Sequence, residues 1–526
     1  MGPRRSPAVC DTVDPAIRRS TSFPIVRRLS PGTILFWSIG LIAFAVRLHG
    51  LGDKPFWLDE VATFHRATAS LPELVASSLH ADHYPSYFLL TWLAAKFGAS
   101  QWLLRLPSAI FGALAASATY AVGQRVGGRA SGAIAGLLMA LAPFEVQFGQ
   151  EARSYTLLTC LILIALWGLV KLAQDRDGTA LPCWRKGPQR AAWLAYGLGT
   201  AAALDVLNAA IPWLVCANLC AIVIAPAATD KKRSFWRNWL WVQLGIVAAW
   251  LPMLILVYLA RGGDVIDDVG WAWPASEQTL WSIVGPVYLL RISNFVTAGT
   301  APAAVPVLSL AVVAFAAAGM WRLRHCRPVA VVLGAATVAL PLTLGLVSLL
   351  VPVLVPRYFV WSAAPFFIFA GVGLGQLPRA RAAIAMLVVS AACLINLKPY
   401  YSYETKPRWD LVAKLLAANA QPGDVVLVNS YYAYWVLTAF APQAGLDESQ
   451  IMLTWEAPKA VSPPPGHTVW AVYGRTGPAV AETVTQFQAS ITALGPPPEA
   501  QTIGRFITLW RYSGTALSER RQDGKG

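Results

Sequence analysis

Charge is scarce in this chain. Asp, Glu, Lys and Arg make up only 13% of its 526 residues against 56% hydrophobic, and the mean hydropathy is +0.50. That is too little charge to cover a water-soluble surface of this size, so an ordinary soluble globule is excluded and the bilayer is the natural solvent. Glycine-rich phosphate loops are missing too. Gly127-Gly128 and Gly262-Gly263 stand alone, without the strand-to-helix setting of a dinucleotide fold or P-loop, which excludes a nucleotide-sugar or ATP site of that kind. The seven cysteines fall in apolar runs or basic linkers with no CxxC or Cys/His spacing, so neither disulfides nor a zinc site is expected. There is no short-period repeat, and Ser462 to Pro465 and Pro496 to Pro498 read as loop punctuation.

Long apolar runs are what the chain has instead. Thr33 to Leu48, Ala130 to Pro143, Tyr155 to Val170, Trp239 to Leu259 and Val329 to Val351 are among them. At roughly 20 residues per crossing, the sequence predicts an all-α polytopic membrane protein with about 11 to 13 transmembrane helices. The first run leads straight into a loop rather than a small-residue cleavage site, so it is expected to remain as a span. A net charge of +15 could indicate nucleic acid, but the basic residues sit in linkers between the runs. Arg27/Arg28, Arg125/Arg129, Arg185/Lys186, Lys231 to Arg233, Arg322/Arg324 and Arg379/Arg381 mark one side of the membrane. The alternate linkers 51–83, 147–154, 261–302 and 353–357 carry few Lys or Arg. The positive-inside rule puts the basic linkers and the amino terminus in the cytoplasm, so the partners are membrane lipids and not nucleic acid. In a bacterial inner membrane the tail then lies in the periplasm. The short segment Tyr84 to Phe97 fits only as an interfacial helix, since counting it as a span would put Arg125/Arg129 on the wrong side.

Three domains follow: a basic tail over 1–31, a membrane domain over 32–398 and a C-terminal domain over 399–526. In the last, the patterns predict a helix over Trp409 to Asn419, a turn at Pro422-Gly423-Asp424, and a strand over Val425 to Asn429. A second strand follows over Thr468 to Tyr473, then a helix near Ala479 to Leu494 and a final strand over Phe506 to Tyr512. This is a small α/β domain of roughly 130 residues.

Four clusters in the non-basic linkers carry possible chemistry. Trp57-Leu58-Asp59-Glu60 sets two carboxylates just past a span, where one could take a proton from an acceptor hydroxyl or amine; equally, both could cap the helix that follows. His83, in His80-Ala81-Asp82-His83-Tyr84, suits a hydrogen bond to phosphate, or is simply a solvated loop histidine. Glu151, Arg153 and Tyr155 offer a carboxylate, a bidentate anion clamp and a phenol within one turn, though charges at a span boundary also snorkel. Arg357 and Tyr358 open a further span, as an anion ligand and its aromatic neighbour or as a snorkelling pair. Asp264, Asp267, Asp268, Trp271 and Trp273 suit sugar stacking and an interfacial loop equally well.

The order of these pieces resembles the GT-C superfamily of membrane glycosyltransferases, in the branch of protein O-mannosyltransferases, aminoarabinose transferases and lipopolysaccharide galacturonosyltransferases. The matching text is WLDE at 57–60, HYPSYFLL at 83–90, RLPSAIFG at 105–112, QEARSYTLL at 150–158 and PRYFV at 356–360, with weaker similarity over KPRWDLVAKLLAANAQPGDVVL at 406–427. The resemblance implies a GT-C fold with interfacial helices in the first outer loop. It also implies a sugar donor linked to polyprenyl phosphate, used at the outer face on a lipid or protein acceptor. By that analogy Asp59 is the catalytic carboxylate with Glu60 beside it, while His83, Glu151, Arg153, Tyr155, Arg357 and Tyr358 bind donor phosphate or substrate. The chain departs from the family pattern at Tyr84, where the first of two prolines after the basic residue is usual, and at Ser86, where hydrophobic residues are usual. No cofactor is expected, and no complete metal-ligand set is visible. The main alternative is a multi-span transporter or flippase of envelope precursors, which would place its ligands near the bilayer midplane on broken helices.

Overall fold

The computed structural model describes residues 30–81, 83–175, 187–262, 276–291, 304–453, 467–474, 487, 491 and 500–513. The basic tail, the Asp264 to Trp273 cluster, both proline-rich runs and nearly all of the predicted helix at 479–494 lie outside these residues.

The chain is mostly helical. Helix α1 (Pro31–Leu48) starts at the Ser30 cap with Pro31 in its first turn, where the missing N–H costs nothing. Three short helices follow, α2 (Leu58–Thr68), α3 (Leu71–His80) and α4 (Ser86–Ala95). These precede the long α5 (Gln101–Leu141), the seven-residue α6 (Pro143–Gly149) and α7 (Tyr155–Gln174). Then come α8 (Gly187–Leu204), α9 (Ile211–Ile224), α10 (Thr229–Ala260), α11 (Glu277–Tyr288), α12 (Ala304–Leu323), α13 (Arg327–Val347), α14 (Ala363–Leu374) and α15 (Arg379–Ser402). Among the described residues seven helices are long and apolar enough to cross a membrane, the sixth being α14 together with the 3₁₀ turn Pro356–Ser362 ahead of it. The sequence count is higher because several apolar runs fold as shorter helices, and because α5 joins two runs. Gly128, at φ 88°, turns the chain between those runs, a conformation that favours glycine. The turn lies between Arg125 and Arg129, where the basic pattern called for one. The segment Tyr84 to Phe97 contains the short α4.

At the centre, α5 packs against α1, α7 and α14. The packing depends on small residues: a Cβ at Gly132 would sit 2.6 Å from the Tyr120 carbonyl, and one at Gly373 would sit 2.0 Å from the Phe315 carbonyl.

Beyond α15 the chain forms α16 (Trp409–Asn419), α17 (Tyr431–Ala444) and five strands: β1 (Val425–Val428), β2 (Ile451–Leu453), β3 (Thr468–Gly474), β4 (Gln501–Ile503) and β5 (Ile507–Ser513). They form one sheet in the order β2-β1-β3-β5-β4, with β1 parallel to both neighbours and β5 antiparallel to β3 and β4. Strand β3 (TVWAVYG) is buried along its whole length, which explains its continuous apolar run. The core of this domain is shared: Phe56, Val61 and Ala67 of the first loop pack with Trp409, Val412, Val436 and Phe440. Helix α2 is therefore a wall of the C-terminal domain as well as part of the first loop.

Candidate active site

Helix α2 carries Leu58, Asp59 and Glu60 in its first turn, where carboxylates favour the helix dipole, so the capping role is real. Adjacent positions on a helix point about 100° apart, however, and the two carboxylates meet different surroundings.

Glu60 is fully buried and saturated. Its Oε1 accepts from Arg105 Nε at 2.7 Å and from the Ala152 N–H at 2.9 Å; its Oε2 accepts from Arg105 Nη2 at 2.8 Å and Lys406 Nζ at 2.7 Å. Burial pushes its carboxyl up, but Arg105 and Lys406 outweigh that and bring it down to about 2. Arg105 also donates to the carbonyls of Leu51, Lys54 and Pro55, so one guanidinium fixes both the loop entering α2 and the helix itself.

Asp59 faces a cationic hollow. Its Oδ2 lies 3.7 Å from Arg357 Nε, each side chain 18% exposed, and that oxygen accepts no hydrogen bond among the described residues. Arg153 Nη1 donates to the Asp59 carbonyl at 3.3 Å and Nη2 to His83 Nε2 at 3.2 Å. His83 in turn bonds the Ala81 carbonyl through Nδ1. A ring that donates from Nδ1 and accepts at Nε2 is neutral, in agreement with burial and Arg153 pushing its pKa down to about 4. Burial raises the Asp59 carboxyl, but Arg357, Arg153 and His83 together hold it below the usual carboxylate range. The guanidinium of Arg357 lies 5.6 Å from the Trp57 ring and 5.7 Å from the Tyr358 ring, and that of Arg153 lies 5.9 Å from the Tyr155 ring.

Glu151 is buried, with an unpartnered Oε2. Burial pushes its carboxyl up to about 7; Lys406 works against this, while Glu60 and Asp59 add to it. Among the described residues no three His, Cys, Asp or Glu side chains converge as a metal site.

The structure thus gathers Asp59, His83, Arg153, Tyr155, Arg357 and Tyr358 around one hollow, sets Glu151 at its edge and turns Glu60 away from it. Sequence reasoning missed three residues. Arg105 lies in RLPSAIFG, a matched motif that assigned it no role. Lys406 sits in the weakly similar segment after α15. Arg66 is buried beside Ala62 and Ser77, whose carbonyls it bonds, and close enough to help hold His83 neutral. The two departures from the family pattern, Tyr84 and Ser86, both make hydrogen bonds, Tyr84 Oη to Asn208 Oδ1 at 2.7 Å and Ser86 Oγ to the Asp205 carbonyl at 2.7 Å.

Residues 82–258 match the model of the dolichyl-phosphate-mannose-protein mannosyltransferase family. Among solved structures, ArnT from Cupriavidus metallidurans superposes with a TM-score of 0.58 at 13% identity, over 92% of this chain and 98% of that one. The chain carries the GT-C fold. The same ArnT bound to undecaprenyl phosphate gives a TM-score of 0.55 at 14% identity, again over 92% of this chain and 98% of that one. The archaeal oligosaccharyltransferase AglB from Archaeoglobus fulgidus, in complex with an inhibitory peptide and a dolichol-phosphate, gives 0.52 at 14% identity over 77% of this chain and 63% of that one. No curated protein matches the sequence. The family match takes in His83, Glu151, Arg153 and Tyr155, whereas Asp59 and Arg357 lie outside it and join the site through the fold.

Proposed function

We propose that the protein transfers a sugar from a polyprenyl-phosphate-linked donor to an envelope acceptor at the outer face of a bacterial inner membrane. The acceptor is a lipopolysaccharide or lipid A, another glycolipid, or a protein. One observation carries the reading: a half-buried aspartate, whose Oδ2 lies 3.7 Å from Arg357 and accepts no hydrogen bond among the described residues, stands with Arg153 beside a neutral histidine. Glu60 is already neutralised by Arg105 and Lys406, so the hollow holds an excess of positive charge that suits a phosphate. The matched family is described by its dolichyl-phosphate donor, and two superposed structures hold undecaprenyl phosphate and dolichol-phosphate.

In this mechanism the acceptor N–H or O–H gives its proton to Asp59 as its heteroatom bonds the anomeric carbon. The bond from that carbon to the phosphate oxygen breaks, and its electron pair stays on the phosphate, where Arg153 and Arg357 stabilise the added charge. His83 holds Arg153 in place through Nε2. Glu60 fixes α2 and takes no proton. Residues 32–398 form the membrane-embedded transferase, and 399–526 a domain on its periplasmic side.

The donor class is tested by binding purified protein to undecaprenyl phosphate. Arg153→Ala and Arg357→Ala should each weaken binding about tenfold or more, the range for a lost charge-assisted hydrogen bond, while Asp59→Asn should not weaken it. Unchanged binding in both arginine variants contradicts a phosphate-linked donor held at this hollow.

A further inference from the structure

The linker between α15 and α16 belongs to neither core, yet it inserts a side chain into the centre of the first loop. Lys406 is buried, and its ammonium donates to Glu60 Oε2 at 2.7 Å. Through Glu60 it shares a carboxylate with Arg105 of α5 and the Ala152 N–H. Three separate parts of the chain therefore close on the residue next to Asp59: α5, the segment before α7, and the linker that opens the C-terminal domain. A second lysine works in the opposite direction. Lys54 of the first loop donates to the carbonyls of Tyr400 and Tyr403 and to Thr405 Oγ1, the last two at 3.2 and 3.0 Å. Two reciprocal lysines thus clasp the first loop to the end of α15 and the linker after it, and α2 completes the clasp by packing into the C-terminal core, with His65 stacked on Trp435 of α17 at 5.2 Å.

We propose that Lys406 is a positioning residue for the transfer reaction: seated on Glu60, it fixes the first turn of α2 and makes docking of the C-terminal domain a condition for a competent Asp59. The physical reason lies in the wiring. Among the described residues Asp59 Oδ2 accepts no hydrogen bond and meets only Arg357 Nε, at 3.7 Å, so where the carboxylate sits depends chiefly on the backbone of α2. That first turn is held by Glu60, and Glu60 by Arg105 and Lys406. Arg105 belongs to α5, whereas Lys406 comes from the linker that opens the C-terminal domain, so its place on Glu60 depends on how that domain is seated. Removing it takes away one of the two cations that hold Glu60 and leaves the turn free to shift, and a displacement of about 1 Å at a reacting group costs on the order of a hundredfold in rate.

This proposal rests on the transfer reading, and its test separates the two. Lys406→Met and Lys406→Arg are purified in detergent and supplied with lipid extract of the source membranes as donor and acceptor. Lys406→Met should lower kcat by about tenfold to a hundredfold with KM for the lipid donor within about twofold, and Lys406→Arg should recover most of the loss. Hydrogen exchange on the same proteins needs no substrate: amides of α2 should exchange at least about tenfold faster in Lys406→Met, with α14 unchanged and α2 protection restored in Lys406→Arg. If the unaltered protein turns over no lipid-linked sugar, the transfer reading fails and the exchange result still decides whether Lys406 positions α2. Wild-type kcat in Lys406→Met, unchanged α2 exchange, or equal acceleration in α2 and α14 would each overturn the proposal.

Discussion

Two adjacent carboxylates on one helical turn have opposite fates, and substitutions should expose them. Glu60 sits in a closed ionic cluster, so Glu60→Gln leaves Arg105 and Lys406 buried without their counter-charge. Breaking a buried pair from one side costs about 3–5 kcal/mol, and the variant should show a clear drop in melting temperature. Asp59→Asn removes a longer, partly exposed contact to Arg357 and should lower the melting temperature less than Glu60→Gln does. Glu151 gives a pH signature. Its folded pKa, about 7, lies above the ordinary carboxylate value of 4.5. Above pH 4.5 the unfolded chain ionises this group while the folded chain does not, and stability is lost as pH rises to about 7. Glu151→Gln removes that cost, so it should raise the melting temperature at pH 8 and leave it unchanged at pH 4. No gain at pH 8 would show that Glu151 has a charge partner in the fold. At this scale the sequence named most of the hollow, because short polar clusters interrupt apolar runs visibly. It did not separate Glu60 from Asp59, since their difference lies in Arg105 and Lys406, 45 and 346 residues away in the chain.

At the scale of elements, two glycines set how closely α12 and α14 approach. A Cβ at Gly319 would lie 1.9 Å from the Phe369 carbonyl, and one at Gly373 would lie 2.0 Å from the Phe315 carbonyl. Both neighbours are rigid backbone. Gly373→Val should therefore push the helices apart and reduce the yield of monodisperse protein in size-exclusion chromatography, whereas Gly334→Ala, which meets nothing within 4 Å, should not. Because α14 continues the turn that carries Arg357, any Gly373→Val protein that folds should also bind undecaprenyl phosphate less well. Segments with clear patterns and punctuation were legible: α16 spans the predicted residues, β1 and β3 start where the predicted strands start, and Gly423 adopts φ 95° in the predicted turn. Helix α17, with the sequence YYAYWVLTAFAPQA, was missed because its aromatic and β-branched residues favour strands. Its amphipathic burial against β1, β2 and α2 decides for helix.

At the scale of the molecule, composition alone established a multi-span membrane protein, and the order of motifs gave its fold. What one-dimensional reading could not supply is the sharing of α2 between two cores. A domain boundary drawn where apolar runs end treats the C-terminal domain as an appendage; Phe56, Val61 and Ala67 in its core, together with Lys406 on Glu60, make it part of the site's framework. The central claim is that Asp59 performs glycosyl transfer from a lipid-linked donor. The most direct test is mass spectrometry of envelope lipids and glycoproteins from a strain lacking the gene, complemented either with the unaltered protein or with Asp59→Asn at equal membrane abundance. The unaltered protein should restore a product heavier by one sugar residue, and Asp59→Asn should reduce that product about a thousandfold, the range for loss of a general base. Equal restoration by Asp59→Asn would contradict the account.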